Sequence, residues 1–237
     1  MTSPVLVGRV AALWRHPVKS MASEALSEVD VSWHGLTGDR RWAFVRDDVA
    51  RNGFPWLTIR QRPDLVRYRP TFTEPDRPDS SGVTVATPSG KEFDVLDPVL
   101  AAELGVGVRA MKLDRGTFDA LPLSLLTTRT VADLGTLVDA DLDIRRFRPN
   151  LVVEAVGDAE FPEDAWVGRG LRIGGLRMRA DRRDKRCAIV NVDPETAHRD
   201  PGILRTVARE RDLCLGVYGS VVEPGRVAVG DAVLLDP

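Results

Sequence analysis

Short apolar runs rich in Val, Leu, Ile and Trp recur along the chain, separated by Gly, Pro and Asp at intervals of roughly ten residues. The clearest runs are residues 5–13, 25–31, 41–45, 56–59 and 83–86. Closely spaced short runs are typical of strands in a barrel or sandwich rather than of alternating strands and helices. The pattern therefore predicts a mainly β chain with a few helices, of the α+β class.

Three segments break this rhythm with apolar residues at helical spacing, namely residues 97–104, 128–138 and 201–212. Thr128 or Thr130 is the predicted cap of the second segment. Asp200 is the predicted cap of the third, with Pro201 at its first helical position. Residues 73–82 carry turn-forming side chains throughout, so we expect an exposed loop there.

The strand pattern is interrupted at residues 112–118, where Asp-Arg-Gly-Thr separates two parts of the chain. We place a domain boundary there, which gives an amino-terminal domain of residues 1–115 and a second domain of residues 116–237. The chain has 237 residues, of which 43% are hydrophobic, and is therefore long enough to bury well over half of its unfolded surface. This excludes global disorder.

The charged residues almost cancel, since 33 Lys and Arg face 35 Asp and Glu for a formal net charge of −2. That balance gives no reason to expect a nucleic-acid partner or an anionic membrane. Only four of the 33 cations are lysines, so 29 are arginines, whose planar fork of donors grips phosphate and carboxylate. A GC-rich genome produces the same excess, which leaves the positions of the arginines as the informative feature.

The chain carries no sign of export or of a membrane span. No apolar run approaches the roughly 18 residues that cross a bilayer, and residues 1–15 lack the charged and apolar regions of a signal peptide. We therefore expect a cytoplasmic protein. Two cysteines, Cys187 and Cys214, are too few for a disulfide scaffold and are expected to be free thiols or ligands.

Cys187 follows the most basic stretch of the chain. Between Arg172 and Arg186 there are seven cations against two aspartates, and an apolar segment predicted as a strand, residues 188–192, follows the cysteine. Fixed positive charge stabilises a thiolate, which is both a nucleophile and a soft metal ligand. The alternative is a small buried residue that starts a strand beside a solvated basic loop. Cys214 has no clustered cations and is interpreted as a core residue.

A second basic cluster consists of Arg145, Arg146 and Arg148. Pro149 follows it and holds the chain extended, so Arg148 and Asn150 would be displayed where the strand at residues 151–154 begins. This arrangement suits an anion or a polar heterocycle. Three arginines on a solvated rim are an equally good interpretation of these residues alone.

Near the amino terminus, Lys19 and Ser20 follow a predicted strand, and Arg40 precedes another. An ammonium, a hydroxyl and a guanidinium together can bind one phosphate. Glycine-rich nucleotide motifs are absent from the sequence, which removes support for a nucleoside triphosphate or a dinucleotide. The three histidines are far apart and no Cys-x-x-Cys occurs, which argues against zinc. We expect the clusters at Arg40, 145–148 and 172–186 to converge on one buried anion.

Taken together and in chain order, several motifs resemble those of the MOSC superfamily. They are Pro17-Val18-Lys19-Ser20, Gly38-Asp39-Arg40, Arg60-Gln61-x-Pro63, Arg146-Phe147-Arg148-Pro149-Asn150, Trp166, Arg186-Cys187 and Val192-Asp193-Pro194-Glu195-Thr196. The resemblance covers nearly the whole chain. It implies a MOSC β-barrel domain packed against an amino-terminal β-barrel-like domain.

The resemblance also implies a molybdenum cofactor, a pyranopterin whose dithiolene holds the metal. The pattern is most similar to the amidoxime-reducing components and their bacterial relatives, which reduce N-hydroxylated compounds. Cys187 matches the cysteine that gives its thiolate to molybdenum, and it is the candidate catalytic and metal-binding residue. The candidate cofactor-binding residues are Lys19, Ser20, Arg40, Asp119, Arg146, Arg148, Asn150 and Arg186.

The chain departs from the family pattern at three places. Lys185 stands where a small residue usually lies two positions before the metal cysteine, so it could change the charge at the metal or simply point to solvent. Asp119-Ala120-Leu121 replaces an aspartate followed by hydroxyl residues, and Ala197-His198 replaces a glycine turn. His198 is therefore interpreted as a loop residue.

The resemblance leads us to expect turnover with an external electron-transfer protein. No iron–sulfur module follows residue 237, so a ferredoxin, a flavoprotein or a b-type cytochrome would supply electrons for a small N-hydroxylated substrate. A second interpretation is a carrier of the molybdenum cofactor or of sulfur, with a persulfide on Cys187 and no turnover. Nucleic-acid binding is the weakest alternative, because phosphate-backbone binders are usually basic.

Overall fold

The computed structural model describes residues 3–47 and 54–237. Its strands are β1 (Val5–Arg15), β2 (Glu24–Leu26), β3 (Glu28–Ser32), β4 (Gly35–Leu36), β5 (Trp42–Arg46), β6 (Arg69–Phe72), β7 (Val83–Ala86), β8 (Glu92–Asp94), β9 (Val108–Lys112), β10 (Leu123–Thr127), β11 (Leu151–Ala155), β12 (Gly170–Ile173), β13 (Leu176–Lys185), β14 (Cys214–Glu223), β15 (Gly225–Ala228) and β16 (Ala232–Leu235). The helices are α1 (Pro98–Leu104), α2 (Thr128–Val138) and α3 (Pro201–Arg211). Short 3-10 helices lie at Pro63–Arg67, Ile144–Phe147, Pro162–Trp166 and Ala188–Asn191.

Seven of the described strands close into a barrel in the order β1-β11-β10-β14-β13-β12-β16, with β16 returning to β1. Only the β10–β11 pair is parallel, and the other pairs around the barrel are antiparallel. A closed barrel leaves no free edge, because each strand pairs on both sides. The predicted mainly β fold with a few helices is confirmed.

Side chains inside the barrel form one apolar core, and strand β13 shows how the sequence achieves it. Leu176, Met178 and Ala180 are buried in that core, whereas Arg177 and Arg179 between them point outward. Alternation with a period of two is what a strand dictates. A basic stretch can therefore contribute buried apolar side chains to the core.

A second apolar core lies under the smaller sheets of the amino-terminal half. These sheets are β5–β9 and β6–β7–β8, and α1 packs with them through Leu100 and Leu104. Val192, from the carboxy-terminal half, belongs to the same cluster. The two halves therefore share packing as well as a barrel, since β1 is the first strand of the chain and pairs with β11 and β16. The division at residue 115 stays a prediction.

All three helices occur where the apolar spacing predicts them. Asp97 and Asp200 cap α1 and α3 by accepting hydrogen bonds from Val99 N and Gly202 N, at 2.8 Å each. The α2 cap is Thr127, one residue before the earlier of the two predicted positions. The loop at 73–82 is also confirmed between β6 and β7.

Two predicted strands are wrong. Residues 188–192 form the 3-10 helix Ala188–Asn191, because the segment turns directly after Cys187 to begin packing beside α3. Residues 56–59 form no strand, since only Trp56 makes an isolated bridge to Val45. In the described part of the chain, no helix is long and apolar enough to cross a bilayer.

Candidate functional site

A cavity of about 650 Å³ is lined by residues from both halves of the chain. Loops after β1, β4 and α2, together with the end of β13, supply its most polar side chains. Every residue named as a candidate from the sequence lies on its wall, namely Lys19, Ser20, Arg40, Asp119, Arg146, Arg148, Asn150, Arg186 and Cys187. The fold therefore gathers residues that span most of the sequence.

Three of these residues adopt a left-handed backbone that side chains rarely take. The φ angles are 71° for Ser20, 51° for Arg40 and 53° for Arg148. A non-glycine residue in this region costs roughly 1–2 kcal/mol, and such strain clusters at sites where the surrounding structure imposes it. Five other described non-glycine residues share this conformation outside the cavity, so here it shows how the loops present these three side chains.

The Arg40 guanidinium is fixed by a buried carboxylate. It donates from Nη1 to Asp39 Oδ2 and from Nη2 to the carbonyl oxygen of Arg148 at 3.1 Å. Asp39 also accepts a hydrogen bond from the backbone N–H of His16 at 2.7 Å. Burial alone would raise the pKa of Asp39, but Arg40 and hydrogen bonds from His16 hold it well below its ordinary value. Asp39 is therefore a permanent anion that orients Arg40.

Arg148 lies beside Arg40, and few protein groups offset the positive charge of its guanidinium. It donates from Nη1 to the carbonyl oxygen of Met21 at 2.8 Å, while its buried Nη2 has no hydrogen-bond partner among the described residues. Burial and the charge of Arg40 lower the pKa of Arg148 to about 9. Two guanidinium groups thus share one region with Asp39 as the nearby buried carboxylate. An anion in the cavity would offset this excess charge.

Arg186 and Arg146 each leave guanidinium nitrogens free. Arg186, only 8% exposed, donates to the carbonyl oxygens of Leu215 at 2.7 Å and Phe147 at 2.8 Å. Its Nη2 is buried without a partner in the described structure, and so are Nε and Nη1 of Arg146. Arg146 is held from its remaining nitrogen by Asp193 at 2.9 Å. Buried donors of this kind normally have partners, so these nitrogens are available to a ligand in the cavity.

Lys19 is buried against the second half of the chain. Its Nζ lies 2.5 Å from Asp119 Oδ1 and 2.6 Å from the carbonyl oxygen of Thr117. Burial lowers the pKa of Lys19, and Asp119 opposes that shift. Asp119 therefore holds Lys19 in place at the cavity wall, next to the buried Ser20.

The side-chain amide of Asn150 forms hydrogen bonds with other protein groups. Its Nδ2 donates to the carbonyl oxygen of Trp14 at 3.2 Å, and its Oδ1 accepts from the backbone N–H of Ser124 at 3.3 Å. These bonds tie β1 to β10. In this structure Asn150 shapes the cavity wall.

Cys187 is half-buried on the same wall, immediately before the 3-10 helix Ala188–Asn191. Among residues 3–47 and 54–237 no group of three or more His, Cys, Asp and Glu side chains is placed to hold a metal ion. The described side chains therefore form no multi-residue metal site, and Cys187 is the candidate protein ligand from the sequence. A metal bound to Cys187 would take its other ligands from a cofactor.

Arg60 also lines the cavity, although it is not among the candidate residues from the sequence. The pKa of Arg60 is raised, first by hydrogen bonding to Cys187, with burial opposing the shift. Its place in an Arg-Gln-x-Pro motif is the signal that could have identified it. Gln61 folds back so that its Oε1 accepts from Thr58 N at 3.0 Å, and this fixes the loop that presents Arg60.

Asp184 and Tyr218 were also missed, because the aspartate stands in a basic stretch and resembles a solvated residue. Asp184 is only 1% exposed and accepts a hydrogen bond from the Ser124 hydroxyl at 3.2 Å. Burial raises the pKa of Asp184, although Arg186 opposes the shift. Burial and Asp184 raise the pKa of Tyr218 to about 12. Both side chains line the cavity and can hold protons there.

The expected convergence of all three basic clusters is wrong for several members. Arg172 and Arg177 pair with Asp236, at 2.6 and 3.4 Å, far along the barrel from Cys187. Arg145 pairs with Asp143 and is absent from the wall of this cavity. In the clusters at 145–148 and 172–186, strand alternation and nearby carboxylates therefore direct some cations to the cavity and others away from it. The interpretation of Cys214 as a core residue is wrong as well, since it is half-buried on the cavity wall.

Comparison with protein families divides the chain between two models. A model of the MOSC N-terminal beta barrel domain matches residues 7–117, and a model of the MOSC domain matches residues 114–234. Between them they cover nearly the whole chain, including all of the cavity residues named above.

Individual relatives support the same grouping. Mitochondrial amidoxime reducing component 2 of Bos taurus is 32% identical, over 96% of this chain and 83% of the relative. Molybdenum cofactor sulfurase of Caenorhabditis briggsae is 26% identical over 94% of this chain, which spans only 35% of that protein. The crystal structure of the YUAD protein from Bacillus subtilis matches with a TM-score of 0.56 at 12% identity, covering 99% of this chain and 98% of that one. The last match concerns the fold alone.

Proposed function

The chain belongs to the MOSC-domain family, and we propose that it binds a molybdenum cofactor and reduces N-hydroxylated compounds by two electrons. The name of the bovine relative, an amidoxime reducing component, favours this reaction class. The observation that carries the proposal is a set of buried guanidinium nitrogens without partners in the described structure, on Arg146, Arg148 and Arg186, which line the same cavity as the Cys187 thiol.

The cavity fits an anionic cofactor that brings its own metal ligands. Leaving buried guanidinium nitrogens unpaired costs free energy, and a bound phosphate would pair them with charge-assisted hydrogen bonds. Arg148 Nη2 and Arg186 Nη2 are free donors for that purpose. Lys19 and Ser20 would add an ammonium and a hydroxyl to the same anion. The volume of about 650 Å³ lies in the range of cofactor sites.

Cys187 would supply the single protein ligand to the metal, and the bound cofactor would supply two-electron redox chemistry. In the overall reaction the N–O bond breaks, and two electrons and two protons convert the N-hydroxyl compound to the N–H compound and water. Asp184 and Tyr218 are placed to hold protons at the cavity wall. Because the pKa of Tyr218 is about 12, it keeps its proton at neutral pH.

The electrons would come from a separate electron-transfer protein, a ferredoxin, a flavoprotein or a b-type cytochrome. The arginine clusters that hold the cofactor also fix positive charge next to it, which favours the more negative, reduced state of the centre. This protein would receive electrons from that donor and pass them to the substrate in the same cavity.

A second candidate function is transport of the cofactor or of sulfur. The similarity to molybdenum cofactor sulfurase favours it, since that relative's name describes sulfur chemistry on the same cofactor. Here Cys187 would hold a persulfide, and no N-hydroxylated compound would be reduced.

Replacing Cys187 tests both candidates. Protein purified from a host that makes the cofactor is expected to contain stoichiometric molybdenum and to reduce benzamidoxime with reduced methyl viologen as electron donor. Cys187→Ser is expected to lose the metal and the activity, because a hydroxyl is a poor ligand for a metal that prefers thiolate. Metal analysis and amidine formation are the measurements.

Cys214→Ser is the matched control, since Cys214 is a free thiol on the same wall and is expected to be dispensable. Bound molybdenum without reduction of several N-hydroxylated compounds would favour the carrier. Wild-type protein that binds no molybdenum would rule out both candidates.

A further inference from the structure

Three exposed cations surround the opening of the cavity without any ion pair to the described residues. They are Arg60, Arg182 and Lys185, and all three line the same cavity as Cys187. Exposed residues on a cavity wall lie at its opening, whereas the buried Lys19 and Arg186 lie deeper. The cavity therefore has a positively charged mouth, defined by Arg60, Arg182 and Lys185.

The other cations of β13 show that this lack of partners is local. Arg177 pairs with Glu223 at 3.0 Å, Arg179 with Asp181 at 3.8 Å and Arg183 with Asp164 at 3.4 Å. Arg182 and Lys185 stand on the same strand and have no carboxylate within ion-pair distance in the described chain. Charge along this strand is thus neutralised everywhere except at the mouth.

Arg60 is held in position before any ligand arrives. Its backbone N–H donates to Thr58 Oγ1 at 3.3 Å, and its carbonyl oxygen accepts from Arg199 Nη2 at 2.7 Å. Its guanidinium carbon lies 5.6 Å from the centre of the Phe54 ring. A fixed loop lowers the entropy lost when a ligand binds. Arg60, which hydrogen-bonds Cys187, is therefore held in place before a ligand binds.

We propose that this mouth selects substrates that carry an anionic group, a carboxylate or a phosphate, next to the group that is reduced. The inference rests on the proposed function, since it names the substrate class of the same site. Arg60 and Lys185 would pair with the anionic group, while the N–O end of the substrate reaches the region of Cys187. Unpaired cations at a cavity opening also raise the local concentration of anions and so increase their rate of association.

The position of Arg60 favours a small anion over an acidic protein as the partner of the mouth. Arg60 is exposed like Arg182 and Lys185, but its guanidinium also hydrogen-bonds the Cys187 thiol. A ligand that pairs with all three cations therefore lies next to Cys187. An effect on an acidic electron donor is therefore an outcome to be distinguished by experiment.

Thiol–disulfide exchange in cofactor-free protein tests the charge of the mouth without turnover of an N-hydroxylated substrate. In a Cys214→Ser background, the Cys187 thiolate attacks a disulfide reagent, forms a mixed disulfide and releases one aromatic thiolate. The anionic reagent is 5,5′-dithiobis(2-nitrobenzoate), and the neutral one is 4,4′-dithiodipyridine. We expect the anionic-to-neutral rate ratio to fall roughly three- to tenfold in Arg60→Gln and in Lys185→Gln at low ionic strength.

Arg179→Gln is the matched control, because it removes the same charge from an exposed arginine of β13 that lies outside the cavity. It is expected to leave the ratio within about twofold of the parent protein, as distant exposed charges are screened. Equal ratios in Arg60→Gln, Lys185→Gln and Arg179→Gln would overturn the proposal.

Turnover of the loaded protein provides the second arm. The kcat/KM for 4-carboxybenzamidoxime relative to benzamidoxime is expected to exceed one and to fall about three- to tenfold in each mouth variant. A fall only in the rate with an acidic protein donor, at an unchanged substrate ratio, would assign the mouth to that donor and overturn the proposal. If neither amidoxime is reduced, the proposed function fails, and the thiol ratio still decides whether the mouth prefers anions.

Discussion

Arg148→Met is expected to lower the molybdenum retained by the purified protein at least tenfold while leaving the cofactor-free protein about as stable as the wild type. Arg148 has one buried nitrogen without a partner in the described structure, and its pKa is lowered to about 9 by burial and Arg40. A charge-assisted hydrogen bond to an anion contributes about 1.5–3 kcal/mol, which corresponds to roughly ten- to hundredfold in affinity.

Metal content and stability are expected to respond differently to Arg148→Met. This difference distinguishes an arginine that binds the cofactor from one that only stabilises the fold. Without cofactor, removing Arg148 relieves the repulsion from Arg40 but also removes its hydrogen bond to Met21 O. These contributions oppose each other, so we expect a change of at most about 1 kcal/mol in the free energy of unfolding. A purely structural arginine would instead lower the stability and the metal content together.

Urea denaturation of cofactor-free protein and metal analysis of loaded protein measure the two effects. Arg145→Met is the matched control, since Arg145 is the neighbouring arginine of the same cluster and its pairs with Asp143 and Glu195 lie outside the cavity. It is expected to keep its molybdenum. Full metal content in Arg148→Met would show that the cavity does not use this guanidinium.

Acidification below pH 6.5 is expected to destabilise the cofactor-free protein through His16, by at most about 1.4 kcal/mol for each pH unit. His16 is 1% exposed, and burial, together with Arg40 and Arg148, holds its pKa well below 6.5, although Asp39 opposes the shift. The unfolded chain binds a proton at His16 near pH 6.5, whereas the folded chain does not. This contribution to stability is therefore present above pH 6.5 and is lost as the pH falls towards the lowered pKa of His16 in the folded protein.

His16→Gln removes the titrating group, so the measurement is the difference between wild type and variant in the slope of unfolding free energy against pH. This difference is needed because burial raises the pKa values of Glu163 and Asp184, which act in the opposite direction. His34→Gln, which removes an exposed imidazole, is expected to keep the wild-type slope. Identical slopes in wild type and His16→Gln would contradict the account of His16.

Local chemistry in the sequence predicted the helices because each one begins with its own signal. An aspartate followed by proline marks α1 and α3, and helical spacing of apolar residues marks α2. The strand expected after Cys187 failed because an apolar run of five residues has the same composition in a strand and in a buried turn. Its packing beside α3 decides between them, and that contact is not local.

The candidate site was predictable where its residues stand in motifs. Arg146, Arg148, Arg186 and Cys187 were identified from short motifs, and the structure brings them to one cavity. The separation of Arg145 from Arg146 was not predictable, because it depends on where Asp143 and Glu195 lie. Asp184 was not predicted as a site residue for a similar reason, because only the fold buries it beside Tyr218.

The left-handed backbone at Ser20, Arg40 and Arg148 could not be predicted either, because none of these residues is glycine. Long-range hydrogen bonds hold these segments, as where the Arg40 backbone N–H donates to the carbonyl oxygen of His16 at 2.6 Å and Arg40 Nη2 donates to that of Arg148 at 3.1 Å. Such contacts connect loops far apart in the chain. Local propensity therefore predicts where the site residues stand in the sequence but not how they are held.

Residue-resolved alkylation tests most directly whether a molybdenum cofactor occupies the cavity and is bound through Cys187. Protein from a host that makes the cofactor and protein from a host that does not are treated with iodoacetamide, and mass spectrometry follows Cys187 and Cys214 separately. We expect Cys187 to be blocked only in the molybdenum-containing protein, with Cys214 modified equally in both. Equal modification of Cys187 in molybdenum-containing and cofactor-free protein would contradict the central claim.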